Sequence, residues 1–423
     1  MRLKAWLFSL LFIVAAMAPA AAGAGKLPNI IILSVDALRA DHTSYYGYPR
    51  RTTPNIDQVA ARGTVFMDAT SLIPLTCPSF STVFTSLPTW ENGVNRNGIP
   101  LGPEFETLPA MLRARGYTTA AFVGCSPLYH TRSGFKPGFS YYSDGGLGLL
   151  LELDAKILTR RAQKLLEKGL PEPFFLWLHY PDPHQPHWPI SGHSFRKAPP
   201  AGPRRNRVED YYDSEAAYAD QWLGVLLDDL RQRGLLDNTL LIITADHGEN
   251  VGGEKKFIGH GRKLYQTILN VPLIVAGPGI PQGRKISDPV ELLDLSPTIL
   301  AYLGLEPGAR MEGRELISAI KQASPLQPVP FHFESYGLMV LDLPGLKSLG
   351  QKSPPVVIGM RAGDYKIIYT FKKDSWELYN LKNDPQEERN LFDPADPGFR
   401  ELAGQLVEFY EKRGRPGPQI PEP

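Results

Sequence analysis

The sequence predicts an α/β protein: one large, mostly parallel sheet flanked by helices, followed by a small C-terminal antiparallel-sheet subdomain. Three observations predict it. Short, unbroken apolar runs rich in β-branched residues recur up to about Gly304, as suits strands buried on both faces. Segments with helical spacing alternate with them, the pattern of a covered parallel sheet. Beyond Gly304 the chain changes to short strand-like stretches separated by loops rich in Pro, Gly and Asp.

In chain order, the N-terminus comes first. Met1-Arg2-Leu3-Lys4 precedes an apolar run from Ala5 to Ala18 and small residues from Ala20 to Gly25. A basic start, a short apolar middle and an Ala-x-Ala type site near Ala22 or Ala24 have the form of a signal peptide, residues 1–24. The alternative is an uncleaved anchor, for which the run is short against a span of about 20 residues. No later segment is apolar for long enough to cross a bilayer, so an exported, periplasmic or secreted chain without a stable span is expected.

Strands are predicted at Asn29 to Val35, Thr118 to Val123, Pro173 to Leu178, Asn238 to Thr244 and Val271 to Ala276. Helices are predicted at Ile56 to Arg62, Leu108 to Arg115, Leu151 to Glu167 and Ala216 to Arg233. Together they form a catalytic domain over 25–305. The C-terminal subdomain, 306–423, contains strands at Val356 to Arg361, Tyr365 to Thr370 and Trp376 to Leu381, then a helix from Phe399 to Glu411. Pro186 to Pro203 reads as a surface loop, and the tail from Pro416 as frayed.

At 423 residues the chain can bury a large core, and its net charge of +1 gives no electrostatic reason to bind nucleic acid. Two cysteines, Cys77 and Cys125, are too few for a disulfide framework. One bridge between them and two buried free thiols both remain open.

Ligands of such sheets sit at the carboxyl ends of strands, so the residues just after each strand carry the chemistry. The first strand runs into Asp36, either a cap for the next turn or a cation ligand. Asn238 to Thr244 runs into Asp246 and His247. Asp36, Asp246 and His247 make an oxygen-rich set with one nitrogen, suited to Mn, Zn, Mg or Ca in falling order. Thr76 opens Thr76-Cys77-Pro78-Ser79, a turn leading into a helix. It is either an N-cap or a hydroxyl placed where helix N–H groups favour anions.

In order along the chain stand Asp36, Thr76-Cys77-Pro78-Ser79, Thr85-Ser86, Asn92-Gly93-Val94, Pro183-His184-Gln185-Pro186, Asp246-His247-Gly248 and Gly259-His260-Gly261. Leu293-Asp294-Leu295-Ser296-Pro297-Thr298, Arg361-Ala362-Gly363-Asp364-Tyr365-Lys366 and Glu377-Leu378-Tyr379-Asn380-Leu381 follow. This series resembles the sulfatase-like enzymes of the alkaline phosphatase superfamily over nearly the whole mature chain. The resemblance implies an alkaline-phosphatase-like sandwich. It implies a divalent metal site of Asp36, Thr76, Asp246 and His247, with Thr76 also the nucleophile. His184 and His260 would hold oxygens of the transferred group or protonate the leaving group, and Asn97 and Asn92 would contact substrate. One metal ion is expected; two would recruit His184, His260 and Asp182.

Departures from the family pattern shape the expected chemistry. Phe80 stands where sulfatases carry Arg, Ala37 where a second Asp is expected, and Asn92 where a His is usual. Thr76 cannot become formylglycine, and Cys77 lies one residue late, so no formylglycine is expected. A phospho-threonine ester can be cleaved by water at phosphorus, whereas a sulfo-threonine ester is harder to discharge. Hydrolysis of phosphate mono- or diesters or phosphonate esters is therefore favoured. A sulfatase, a phosphoryl-group transferase and a non-catalytic carbohydrate- or lipid-binding module are the alternatives. The partner is a small-molecule, glycan or lipid ester. Trp90, Trp188 and Tyr129 are aromatic candidates for stacking on it.

Overall fold

The computed structural model describes residues 26–145, 153–195, 207–252, 255, 257–337, 354–415 and 417–422. The segment 1–24 expected to be a signal peptide lies outside them, as do residues 151–152 of one expected helix and 196–203 of the Pro-rich loop.

The β-branched runs pair as expected. β1 (Asn29–Val35) lies at the centre, parallel to β5 (Phe174–Tyr180) on one side and β6 (Thr239–Thr244) on the other. β5 continues to β3 (Thr118–Val123) and then β4 (Tyr141–Ser143), all parallel. Beyond β6 come β9 (Asn270–Ala276), β2 (Thr64–Thr70) and the short β10 (Arg284–Ile286) and β11 (Val290–Glu291), giving nine strands. β1 and β5 are buried at every position, the expected state of strands covered on both faces.

β9 is the exception to the parallel pattern, antiparallel to both β6 and β2. After β6 the chain stays at the carboxyl end of the sheet, where it forms a small ribbon of β7 (Asn250–Val251) and β8 (Ile258–Gly259). β9 therefore starts from that same end and must run back. β2 was not expected: its Thr64, Asp68 and Thr70 break the apolar run, and its pairing with β9 shifts register between Phe66 and Ala69.

The core on one face is aromatic. Trp177 packs against Phe80, Phe84 and Phe139, and its indole N–H donates to Ser34 Oγ at 3.0 Å, so no polar atom of the ring is left bare. The helices α1 (Pro54–Ala61) and Arg207–Gln232 cover the sheet beside each other.

A second, four-stranded antiparallel sheet orders β12 (Phe331–Ser335), β13 (Val357–Ala362), β14 (Tyr365–Thr370) and β15 (Ser375–Asn380). One face, with Ile358, Met360 and Trp376, packs on helix Pro397–Glu411. The other, with Val357, Ile368 and Tyr379, packs on Leu264, Tyr265 and Leu269 of the first body. The buried pair Lys366–Glu387 (2.8 Å) locks that junction, because Glu387 Oε2 also accepts the Gln266 N–H at 2.6 Å. The tail is docked, contrary to expectation: Trp376 Nε1–H donates to Gln419 O at 3.2 Å and Ile420 packs beside the helix.

On β12, His332 stacks on Phe409 with ring centroids 3.5 Å apart and planes 8° from parallel. Burial, helped by the Arg413 charge, pushes its pKa down to about 3. The folded value is below the ordinary value of about 6.5, so the unfolded chain takes up the proton first. Stability is therefore lost as pH falls from the ordinary value toward the folded one. His332→Phe keeps the stack and removes the titration, so its melting temperature should fall less between pH 7 and pH 5 than that of the native protein. Equal losses in thermal melts would remove His332 from the account of acid sensitivity.

Candidate active site

Four neighbouring strands, β6, β1, β5 and β3, deliver polar side chains to the same edge of the sheet. Asp36 follows β1, His179 is the penultimate residue of β5, Asp246 and His247 follow β6, and Cys125 lies two residues past β3. Local chemistry fixes the turn after β6. A side chain at Gly248 would place its Cβ 2.5 Å from Thr267 O, so only glycine lets the Gly248 N–H reach Ile268 O. After β1, Ala37 takes the left-handed region (φ 60°) and turns its N–H onto Asp246 Oδ1 at 3.1 Å. The position where a second carboxylate was expected thus supplies a backbone donor that holds the distant one.

Helix α2 (Thr76–Thr85) is buried over its whole length. Leu75, not Thr76, is its N-cap residue, and Leu75 offers no side-chain acceptor, so the Thr76 hydroxyl is not used as a cap. Ser79 Oγ donates to Asp246 O at 2.8 Å, which ties the first turn of α2 to the end of β6. Thr76 Oγ1 then lies 3.4 Å from His247 Nε2. Cys77 points the other way: it is fully buried, its Sγ faces Ile99 O, and burial pushes its pKa up to about 12. Cys77 and Cys125 are both buried thiols, so the bridge left open by the sequence is not formed.

Asp36, Thr76, Asp246 and His247 therefore come together. His247 Nε2 is 3.7 Å from Asp36 Oδ1 and 3.4 Å from Asp246 Oδ2. Ligands about 2.0–2.2 Å from one ion, at angles between tetrahedral and trigonal, lie about 3.3–3.7 Å apart, which matches these separations. Asp246 Oδ2 is buried and accepts no hydrogen bond, a costly state for a carboxylate oxygen unless a cation faces it. His247 Nδ1 is 2.9 Å from Gly248 O, so the proton resides there and Nε2 turns a lone pair inward. These residues fit a divalent ion.

His184 and His260 stand beside this group. The His247 and His260 rings stack at 4.3 Å, and His184 meets His260 edge-on at 4.8 Å. His184 Nδ1 lies 2.6 Å from Gln185 O, and His260 Nδ1 lies 3.2 Å from both oxygens of Glu249. Burial, then the neighbouring His260 and His247, pushes the His184 pKa down to about 3, so its ring is neutral. Burial also pulls on His260, but the Glu249 charge and hydrogen bond outweigh it and raise the value. Glu249 is held at about 2: burial works against it, and the His260 charge and hydrogen bond overcome that.

The remaining expected residues are placed differently. Asn97 lies next to Thr76, but its Oδ1 accepts the Cys77 N–H at 3.0 Å, so it caps α2 from outside. Asn92 donates to Leu87 O at 2.8 Å and accepts from Val94 N–H at 2.9 Å; both ends of its amide hold its own turn, and substrate contact gains no support. Asp182, named only for the case of two ions, accepts the Ala155 N–H at the start of helix Ala155–Glu167, and Glu249 takes the place beside His184 and His260. Trp90 packs edge-on to Phe409 and Tyr129 is buried; Trp188 alone of the three aromatic candidates is open to solvent, at 65%.

His179, Glu249 and Cys125 were given no role from sequence. A histidine inside Phe-Phe-Leu-Trp-Leu-His-Tyr reads as core, and Glu249 carries only the weak signal of lying two residues after His247. Phe80, where an Arg was expected, meets the His179 ring edge-on at 4.9 Å.

Residues 28–305 match the family model described as Sulfatase, and residues 253–413 match that of the N-sulphoglucosamine sulphohydrolase C-terminal region. A protein named Sulfatase from Formosa agariphila is 26% identical over 389 residues, covering 73% of this chain and 76% of its own. The N-sulphoglucosamine sulphohydrolase of Homo sapiens is 25% identical, covering 85% of this chain and 84% of its own. Among solved structures, an enzyme in complex with its substrate D-glucosamine-2-N,6-O-disulfate superposes with a TM-score of 0.76 at 22% identity, over 93% of this chain and 99% of that one. The phosphonate monoester hydrolase of Agrobacterium radiobacter superposes at 0.73 with 20% identity, over 92% and 95%.

Proposed function

The chain belongs to the sulfatase family of the alkaline phosphatase superfamily, whose members are metal-dependent hydrolases, and from that premise we propose that it cleaves phosphate or phosphonate esters with Thr76 as the nucleophile. One observation carries the reading: Thr76 Oγ1 is 3.4 Å from His247 Nε2 inside the carboxylate cluster, while Cys77 faces the core. The register of the motif thus favours a threonine over a converted cysteine.

Asp36, Asp246, His247 and Thr76 would hold the ion, which lowers the pKa of a bound hydroxyl and offsets charge on the transferred group. Thr76 Oγ1 gives up its proton to solvent and forms the new bond to phosphorus as the bond to the leaving oxygen, in line with it, breaks. His260, kept protonated by Glu249, gives its Nε2 proton to that oxygen as the P–O bond breaks. His184, neutral and turned by Gln185 O, can accept only through Nε2 and orients a protonated substrate oxygen or the attacking water. Water then attacks phosphorus, giving one proton to His260 Nε2, and the bond from Thr76 Oγ1 to phosphorus breaks, which releases the acid product and restores both residues.

Hydrolysis of a sulfate ester is the second reading, favoured by the sulfatase names of the curated relatives. Exposed Trp188, in the loop after His184, offers a sugar or aryl face a stacking partner in either case.

The test is a comparison of an aryl phosphate, phosphate diester, phosphonate ester and sulfate sharing one leaving group, with Mn, Zn, Ca and Mg supplied separately. A phosphorus ester should be turned over fastest, and peptide mass spectrometry should find Cys77 as ordinary cysteine. An aldehyde mass at residue 77, or a sulfate turned over faster than every phosphorus ester, restores the sulfatase reading.

A further inference from the structure

Around the other oxygen of Asp36 lies a second group of potential ligands: Asp36, Cys125 and His179, whose ligand atoms are all within 4.8 Å of one another and buried. The bonding of His179 makes this group unusual. Ser34 Oγ has one proton and two lone pairs. Donating to Leu178 O at 3.1 Å while accepting the Trp177 indole N–H at 3.0 Å and a His179 Nδ1–H at 2.9 Å satisfies all three neighbours at once. In that arrangement the ring proton is on Nδ1 and Nε2 carries a lone pair. That nitrogen is fully buried, has no hydrogen-bond partner, and faces Asp36 Oδ2 at 3.3 Å. A lone pair turned on a carboxylate oxygen is repulsive, and burying both groups is costly.

A cation between them removes the conflict. A nitrogen and an oxygen each about 2.0–2.1 Å from one tetrahedral ion lie about 3.3 Å apart, the separation found here. Cys125 Sγ stands in reach as a third ligand, and one position is left for water. The edge of Phe80, at 4.9 Å from the His179 ring, shields the group on another side.

We propose that Asp36 Oδ2, His179 Nε2 and Cys125 Sγ form a second metal site, selective for a thiolate- and imidazole-preferring ion such as Zn²⁺, which shares Asp36 with the site at Thr76. Binding requires the Cys125 thiol to release one proton to solvent as the metal–sulfur bond forms; the carboxylate and the neutral imidazole bring none. The ligand set discriminates. A soft sulfur and an imidazole favour Zn²⁺ or Co²⁺ and reject Mg²⁺ and Ca²⁺, whereas the oxygen-rich site at Thr76 accepts either kind. The second ion acts on the reaction through position. It fixes one oxygen of Asp36 so that Oδ1 stays aimed at His247.

The experiment is a Co²⁺ titration of the full-length metal-free protein, read by bound equivalents and by the near-ultraviolet thiolate-to-cobalt charge-transfer band. The first site contains no sulfur, so the band reports the second alone, and its loss is distinguishable from failure of the proposed hydrolase site. Native protein should bind two equivalents with the band. Cys77→Ala should keep both, and Cys125→Ser should bind one equivalent without the band. Mg²⁺ should supply one equivalent at most. Saturation of native protein at one equivalent, two equivalents without the band, or a band lost in Cys77→Ala instead of Cys125→Ser overturns the proposal. Should Cys125→Ser fail to fold, the zinc X-ray absorption spectrum of the native protein decides: a sulfur scatterer at about 2.3 Å supports the site, and a shell of nitrogen and oxygen alone overturns it.

Discussion

Thr76→Ala is expected to lose at least about 10³ in turnover of a phosphate ester, because removing a nucleophile that works as a unit with its metal ligands leaves only binding and electrostatics. The structure makes this substitution a clean one. Thr76 is the first residue of α2, Leu75 rather than Thr76 is the N-cap, and Cys77 N–H is already bonded to Asn97. Alanine therefore removes no cap and leaves the helix start intact, so circular dichroism and melting temperature should stay close to native while the rate collapses. Thr76→Ser keeps the hydroxyl and should retain part of the activity. Cys77→Ala, whose thiol lies in the core, should be mild in rate. An active Thr76→Ala enzyme would show that the nucleophile lies elsewhere.

Asp246→Asn is the second large effect, again about 10³ or more in rate, with loss of the bound ion. Asp246 Oδ1 accepts from Ala37 N–H and from its own neighbour His247 N–H at 2.9 Å, while Oδ2 accepts nothing. Asparagine keeps the first oxygen and its two hydrogen bonds, so the turn is preserved, but presents an NH₂ donor where the ion should meet an oxygen. Without metal, Asp246→Asn should keep the native circular dichroism, because both hydrogen bonds that hold the turn survive. With Mn²⁺ or Zn²⁺ added, native protein should gain melting temperature by ligand linkage and the variant should not. A variant stabilised by metal as much as native would remove Asp246 from the ligand set.

Much of this was present in the chain itself. The periodicity of Asn29–Val35 and Thr239–Thr244 marks fully buried strands, and the residues after them, Asp36, Asp246 and His247, had to emerge at a ligand-binding edge. Composition decided this, because unbroken β-branched runs have one stable environment. Thr76, His184 and His260 were legible as candidates because polar groups in short fixed motifs stand out from the apolar background.

What the sequence could not contain was the direction of each group and its partners. Whether Thr76 or Cys77 faces the site depends on the rotation of α2, which Ser79 sets by bonding a carbonyl 167 positions away. Asn97 and Asn92 have the same chemistry as substrate-binding amides, and only the fold assigns one to the start of α2 and the other to its own turn. The reversal of β9 likewise follows from the site loops staying at one end of the sheet. His179 and Cys125 read as core residues because they are core residues by burial. Only the tertiary structure, by bringing β1, β5 and β3 side by side, sets both beside Asp36, and the partner of Nδ1 is a serine 145 residues earlier. Local sequence determines which surfaces must be buried; the donors and acceptors that meet once they are buried belong to strands distant in the chain.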